Sequence, residues 1–329
     1  MATNKVYDSN SYVLPMDVSW RIQFREAAQL FLTDCKYRNL TPATIQFYKW
    51  ELNRLEAFLK QTNLDLMCLV PADLNQRLMH YMLEKKLTPN SINCLVRTCK
   101  VFFKFLSEEN ILGYNVAAGL KLIKAQNQMV FTFTEEQVNT ILEQPIQSTF
   151  TGFRDYVMML VLLETGIRVM ELSNMKISDI DFIEKIIRIP VGKGRKHRFV
   201  PIHNTCSNEL KKYIRERGQQ SFEDLWITIS NQPMKKQAIE VLVRVHCKKA
   251  SIKGTRGSCH TFRHTMAKYY LLNGGDVFSL MKILGHSTLD MTRCYIELFS
   301  NDIHVQHEKA SPLEFVMIPN EASEESEGI

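Results

Sequence analysis

The chain has 329 residues, 45% of them hydrophobic, enough for two domains with buried cores. No apolar run reaches the about 18 residues of a membrane span, and the opening Met-Ala-Thr-Asn-Lys-Val-Tyr-Asp lacks the apolar stretch of a signal peptide. Net charge is +6 but uneven: residues 1–128 hold 16 Lys/Arg against 11 Asp/Glu, residues 129–310 hold 25 against 19, and residues 311–329 hold none against 5. A basic body fits a polyanionic partner, and the acidic tail reads as disordered.

Residues 1–19 show no period and are expected to form an extended arm. Trp20 to Arg38 carries apolar positions at Phe24, Ala27, Ala28, Phe31 and Leu32, which predicts a helix. Thr41-Pro42 supplies a cap and a first-turn proline for the next, whose core face runs through Ile45, Tyr48, Leu52, Leu55 and Leu59. Pro71 and Thr88-Pro89 open two more, giving a four-helix domain over about 20–120. Basic residues interleave on its outer faces: Arg38, Lys49, Arg54, Arg97, Lys100 and Lys104. Any one of them suits a solvated helix face. Arg97, Lys100 and Lys104 cluster at i, i+3 and i+7, suited to phosphates or a major groove.

Residues 121–133 read as a linker, and a second domain is expected over 134–310. Thr134-Glu135-Glu136 caps a helix, and Phe153 to Leu163 is apolar enough for the centre of a core. Residues 180–189 and 198–202 flank Gly192-Lys193-Gly194-Arg195-Lys196, the pattern of a β-hairpin with a basic turn. Helices are expected to return over 204–299. The fold class is mainly α with a small β-hairpin or sheet, the second domain being α+β.

The eight cysteines (Cys35, Cys68, Cys94, Cys99, Cys206, Cys247, Cys259 and Cys294) contain no CxxC pair. They read as free thiols in a reducing cytoplasm, with no metal and no cofactor. The chemistry concentrates in the second half, where Arg168, Lys193, His260, Arg263, His286 and Tyr295 follow one another. Each position has a bland reading. Arg168 with Glu171 at i+3 is either an arginine aimed at a phosphate or a surface ion pair. Lys193 is a proton donor or a solvated turn residue, and Arg195, Lys196 and Arg198 compete with it. His260, Arg263 and His264 share one helix face at a helix start, which favours an anion. The rival zinc reading suffers from Thr261 where a zincin has Glu, and from Arg263 beside the metal. Tyr295 alone is a core or rim tyrosine, but it follows Gly285-His286 by nine residues. Cations that hold a phosphate, followed by one hydroxyl nucleophile, suit phosphoryl transfer at a DNA backbone.

This order of motifs resembles that of the tyrosine recombinases, or phage integrases, which include Xer-type resolvases and Cre-type enzymes. The residues that carry the resemblance are Gly166-Ile167-Arg168 with Glu171, Gly192-Lys193-Gly194, His260-Thr261-Phe262-Arg263-His264, Leu284-Gly285-His286 and Tyr295. It extends over roughly 20–300, the N-terminal helices resembling the family's core-binding domain. It implies a site-specific recombinase, independent of metal and ATP, in which Tyr295 forms a 3′-phosphotyrosine. Arg168 and Arg263 would clamp the phosphate, Lys193 would protonate the leaving oxygen, and His260 and His286 would serve the proton and the phosphate. Glu171 and His264 are expected to support them. DNA contacts are expected from Arg97, Lys100, Lys104, Arg195 and Lys196.

The resemblance further implies double-stranded DNA with an inverted-repeat core site, a homotetramer on DNA, and an accessory DNA-bending or directionality protein. Residues 296–315 would pack onto a neighbouring protomer or onto their own domain. The expected location is the cytoplasm, at the nucleoid when DNA-bound, and the expected role is integration, excision or transposition of a mobile element. A resolvase of chromosome or plasmid dimers, a type IB topoisomerase and a DNA-binding protein with a decayed site remain alternatives.

Overall fold

A computed structural model describes residues 23–124, 130–190, 197–286, 307 and 311. The chain divides into two compact units, residues 1–127 and 128–329.

The first unit is helical: α1 (Phe24–Tyr37), α2 (Pro42–Thr62), α3 (Met79–Glu84) and α4 (Pro89–Glu108). Thr41 and Thr88 cap α2 and α4, their hydroxyls accepting from the Thr44 and Ser91 amides at 3.1 and 3.3 Å. A proline follows each at the first helical position, where its missing N–H costs nothing. Asn63 ends α2 in the left-handed region, φ 50°. A π-helical turn, Asp73–Leu78, leads into α3, and Asp73 holds its start by accepting from the Val70 amide at 3.0 Å. The apolar faces meet in a core of phenylalanines: Phe31 lies 5.5 Å edge-on from Phe102, which lies 5.3 Å from Phe103. Burying each contributes about 2–3 kcal/mol. Arg97, Lys100 and Lys104 are exposed on α4, and Lys104 pairs with Glu108 at 3.4 Å. Arg54 is instead held by Glu51, at 2.9 and 3.1 Å.

The second unit is built on α6 (Phe150–Thr165), whose Val157, Met158, Met159, Val161 and Leu162 are fully buried. α5 (Glu135–Leu142), α8 (Asn204–Arg217), α9 (Lys236–Lys249) and α10 (Cys259–Leu272) pack around it. The short α7 (Val169–Ser173) follows α6 directly, and α11 (Val277–Leu284) lies against α10 and the sheet. Three antiparallel strands, β1 (Ile180–Asp181), β2 (Ile186–Pro190) and β3 (His197–Pro201), pair in sequence order. Ile187 faces Val200 and Ile189 faces Arg198 across β2 and β3. The inward positions Ile187, Ile189 and Val200 join the core.

Two expectations change. Residues 180–189 form two strands rather than one. Asp181 Oδ1 accepts from the Ile183 and Glu184 amides, both at 3.0 Å, folding a turn that Lys185 completes at φ 53°. Residues 204–286 are not continuously helical either. Gly218 (φ 66°) ends α8, and the chain to Lys235 runs without helix, bridging Lys176 to Asp224 and Ile227 to Pro233. Buried Leu225, Trp226 and Ile227 suit extended backbone, and Pro233 cannot continue a helix. The Arg217 guanidinium replaces the missing ladder by donating to the carbonyls of Gly218, Phe222 and Asp224.

The arm at 1–19, the connecting residues 125–129, Lys193 with Arg195 and Lys196, Tyr295, and nearly all of 296–329 lie outside the described residues.

Candidate functional site

The site begins where α6 stops. Gly166 sits at φ 58°, and a Cβ there would lie 2.8 Å from Leu284 Cδ2 and 3.2 Å from Met266 Sδ. Glycine therefore meets two demands at once, a left-handed turn and close approach of α10 and α11. Two residues on, Arg168 is the N-cap of α7. Its amide donates to Glu171 Oε2 at 2.7 Å, and its guanidinium reaches Glu171 Oε1 at 3.3 Å. About 38% of the Arg168 side chain remains exposed, so the fork is anchored on one side and open on the other.

Arg263 comes from the second turn of α10, which Ser258 caps through the Thr261 amide at 3.2 Å. It is only 5% exposed. Nη1 donates to the Gly166 carbonyl at 2.6 Å, Nη2 to the Leu284 carbonyl at 2.8 Å, and Nη2 meets His286 Nε2 at 2.8 Å. None of these three groups carries a negative charge, so none cancels the guanidinium. The two carbonyls orient it without adding a charge of their own.

Arg198, on β3, is a member of the cluster that sequence reasoning treated only as a competitor of Lys193. Its guanidinium grips Glu171 with two parallel bonds, Nη1 to Oε1 at 2.8 Å and Nη2 to Oε2 at 2.7 Å, while Nε donates to the Ile283 carbonyl at 2.8 Å. The signal for it was the strand period: Arg198 is in phase with buried Val200, opposite exposed His197, Phe199 and Pro201.

The structure thus gathers Arg168, Glu171, Arg263, His264 and His286 with Arg198. His260 begins α10 on its exposed side, its ring 6.3 Å from that of His264. Arg97, Lys100 and Lys104 belong to the other unit.

The cations set the protonation of their neighbours. Burial and then Arg263, Arg168 and Arg198 push His286 down to about 4. Burial, His260 and Arg263 do the same to His264, also to about 4. His260 is held below its ordinary value by partial desolvation, then by Arg263 and Arg168. Burial alone would raise Glu171, but the Arg198 bonds and the Arg168 amide outweigh it and hold the carboxyl below the usual range. All three imidazoles are therefore neutral at pH 7. Because His286 Nε2 accepts from Arg263, its proton resides on Nδ1.

Neutral half-buried histidines carry a stability signature. The unfolded chain protonates them near pH 6.5, and the folded protein does so only near 4. Below pH 6.5 the unfolded state binds more protons, so stability present at pH 7 is lost progressively down to about pH 4. Melting temperature followed from pH 7 to 4.5 should fall, and His264→Gln should flatten the slope. An unchanged slope would mean that His264 is already charged in the folded protein.

Residues 132–301 match the phage integrase family. The chain belongs to the phage integrase family. Tyrosine recombinases, its enzymes, cut and rejoin DNA. Among its relatives is the tyrosine recombinase XerD of Staphylococcus aureus, 25% identical over 280 residues, covering 84% of this chain and 94% of that protein. The fold is shared with solved structures. XerH site-specific recombinase bound to a palindromic difH substrate superposes with a TM-score of 0.68 at 19% identity, over 87% of this chain and 85% of that one. The Tn1549 transposon integrase with a circular intermediate DNA gives 0.66 at 21%, over 82% and 94%.

Proposed function

We propose that this phage integrase family member is a site-specific DNA recombinase that breaks and rejoins strands through a 3′-phosphotyrosine at Tyr295. The observation that carries this reading is the Arg263 guanidinium. It draws Gly166, Leu284 and His286 to one point beside Arg168, and this meeting of three motifs far apart in sequence supports a single anion site there.

In this reaction Tyr295 Oη forms a bond to phosphorus while the bond to the 5′-oxygen breaks. Neutral His260 takes the phenolic proton, and Lys193 gives a proton to the leaving 5′-oxygen. Arg168 and Arg263 bind the non-bridging oxygens as planar forks, which stabilises the charge of the five-coordinate phosphate. His286 adds a bond from Nδ1–H. Glu171 fixes the Arg168 backbone, and His264 packs behind His260. Guanidinium forks do here what cations do elsewhere, so no metal is required. The phosphotyrosine keeps the energy of the phosphodiester, so no ATP is required. A hydroxyl from a second strand reverses the step, and two duplexes engage four protomers on inverted-repeat core sites, with an accessory DNA-bending or directionality protein. Arg97, Lys100, Lys104, Arg195 and Lys196 contact the DNA.

The biological role is movement of a genetic element by integration, excision or transposition. A second reading, resolution of chromosome or plasmid dimers, draws on the XerD relatives. Nicked duplexes made from DNA flanking the gene, incubated with the protein in EDTA without ATP, should yield a denaturation-resistant protein–DNA adduct. Adducts only on chromosomal dimer-resolution sites would favour the second reading. An adduct that needs a divalent metal, or specific binding with no adduct, would overturn the proposed chemistry.

A further inference from the structure

Arg198 has no part in the reaction as written above, yet it is nearly buried and commits every arm of its guanidinium. Only 9% of its side chain is exposed. Nη1 and Nη2 hold both oxygens of Glu171, and Nε holds the Ile283 carbonyl. Gly285 sits at φ 65° directly against it: a Cβ there would lie 3.1 Å from Arg198 Cδ, Nε and Nη1. The side chain thus spans from β3 to α7 on one side and to the turn after α11 on the other.

Both ends lead to groups that hold the phosphate. Glu171 Oε2, gripped by Arg198 Nη2, also accepts the Arg168 amide. The Ile283 carbonyl starts the Leu284-Gly285-His286 turn, which gives Arg263 its Leu284 carbonyl and its His286 partner. Glu171 also poses an electrostatic problem. A carboxylate 3.3 Å from the Arg168 guanidinium competes with a phosphate for that fork and repels the phosphate itself. The bidentate bond from Arg198 cancels that charge without moving the carboxylate off the Arg168 backbone.

We infer that Arg198 is a positioning residue for phosphate capture: it discharges Glu171, so that Arg168 is free for the scissile phosphate, and it pins the turn that orients Arg263 and His286. The inference rests on the DNA-cleaving reading of this site. Lysine cannot replace it, because one ammonium cannot span a carboxylate and a carbonyl on opposite sides.

The test uses single-turnover adduct formation on nicked duplexes carrying either an ordinary scissile phosphate or a methylphosphonate, which lacks one charged oxygen. Arg198→Lys should bind DNA within about two-fold of wild type and cut the ordinary substrate about 100-fold more slowly, the cost of a clamp misplaced by about an ångström. On the methylphosphonate the deficit should shrink to a few-fold, because less charge remains to be gripped. Loss of folded protein would instead slow both substrates equally. Since Arg198→Met leaves the half-buried Glu171 charge with Arg168 as its remaining partner and so draws that fork away from the phosphate, it is paired with the double variant Arg198→Met/Glu171→Gln. That variant should melt near wild type and still cut slowly. Wild-type rates in Arg198→Lys, or an equal deficit on both substrates, would overturn the inference alone. No adduct from the wild-type protein would overturn it together with the reading beneath it, so the two failures are told apart by the wild-type lane.

Discussion

Arg263→Lys is expected to lower the rate of covalent attachment about 1,000-fold while leaving DNA affinity nearly unchanged. The loss corresponds to about 4 kcal/mol of transition-state stabilisation. The substitution keeps the positive charge, so any role that depends on charge alone would survive it. Geometry does not survive. The fork donates to the Gly166 and Leu284 carbonyls and meets His286, and in the proposed reaction it must also grip the phosphate. One ammonium can satisfy at most part of that set and cannot present two parallel donors to a phosphate. Because Arg263 is buried, a second effect follows. A carbonyl left without a donor costs about 1–3 kcal/mol, so the variant should also melt lower. Activity measured well below the variant's melting temperature separates the two effects. Adduct formation at the wild-type rate would mean that Arg263 is a structural strut and that the phosphate is held elsewhere.

Much of this arrangement was legible in the sequence because its signals are local. Thr41-Pro42, Thr88-Pro89 and Thr134 mark helix starts through side chain and backbone within one turn, and each caps a helix as read. Gly166 ends α6 because only glycine enters the left-handed region cheaply. The i, i+3 spacing of Arg168 and Glu171 anticipated their pairing. What the sequence hid is non-local. Arg263 is oriented by backbone carbonyls of Gly166 and Leu284, and a carbonyl has no identity in a sequence. Arg198 looked like one more cation in a basic turn, since its partners lie 27 residues upstream and 85 downstream. The extended stretch after Gly218 was misread because its apolar residues support a strand or a helix equally until burial decides.

Tyr295→Phe is expected to abolish covalent attachment altogether while preserving site-specific binding. The phenylalanine keeps the ring and removes only the oxygen, so whatever packing the ring provides is retained. The argument for this hydroxyl is chemical. A phenol ionises near pH 10, far more readily than the alcohols of Ser287, Thr288 or Thr292. It is therefore easier to deprotonate on attack and a better leaving group when a DNA hydroxyl returns. Reversible strand exchange needs both properties in one atom. Cys294, next in the chain, would give a thiolate more easily still, but a phosphorus–sulfur link would not return the phosphodiester on equal terms. An adduct that persists in Tyr295→Phe and disappears in Cys294→Ala would move the nucleophile by one residue. The cationic frame around Arg263 would stand, since it selects the phosphate and not the atom that attacks it. A variant that binds but never attaches would divide the labour along the same line: Arg168, Arg263 and His286 would then hold the anion whether or not a nucleophile is present, and the tyrosine would supply only the bond.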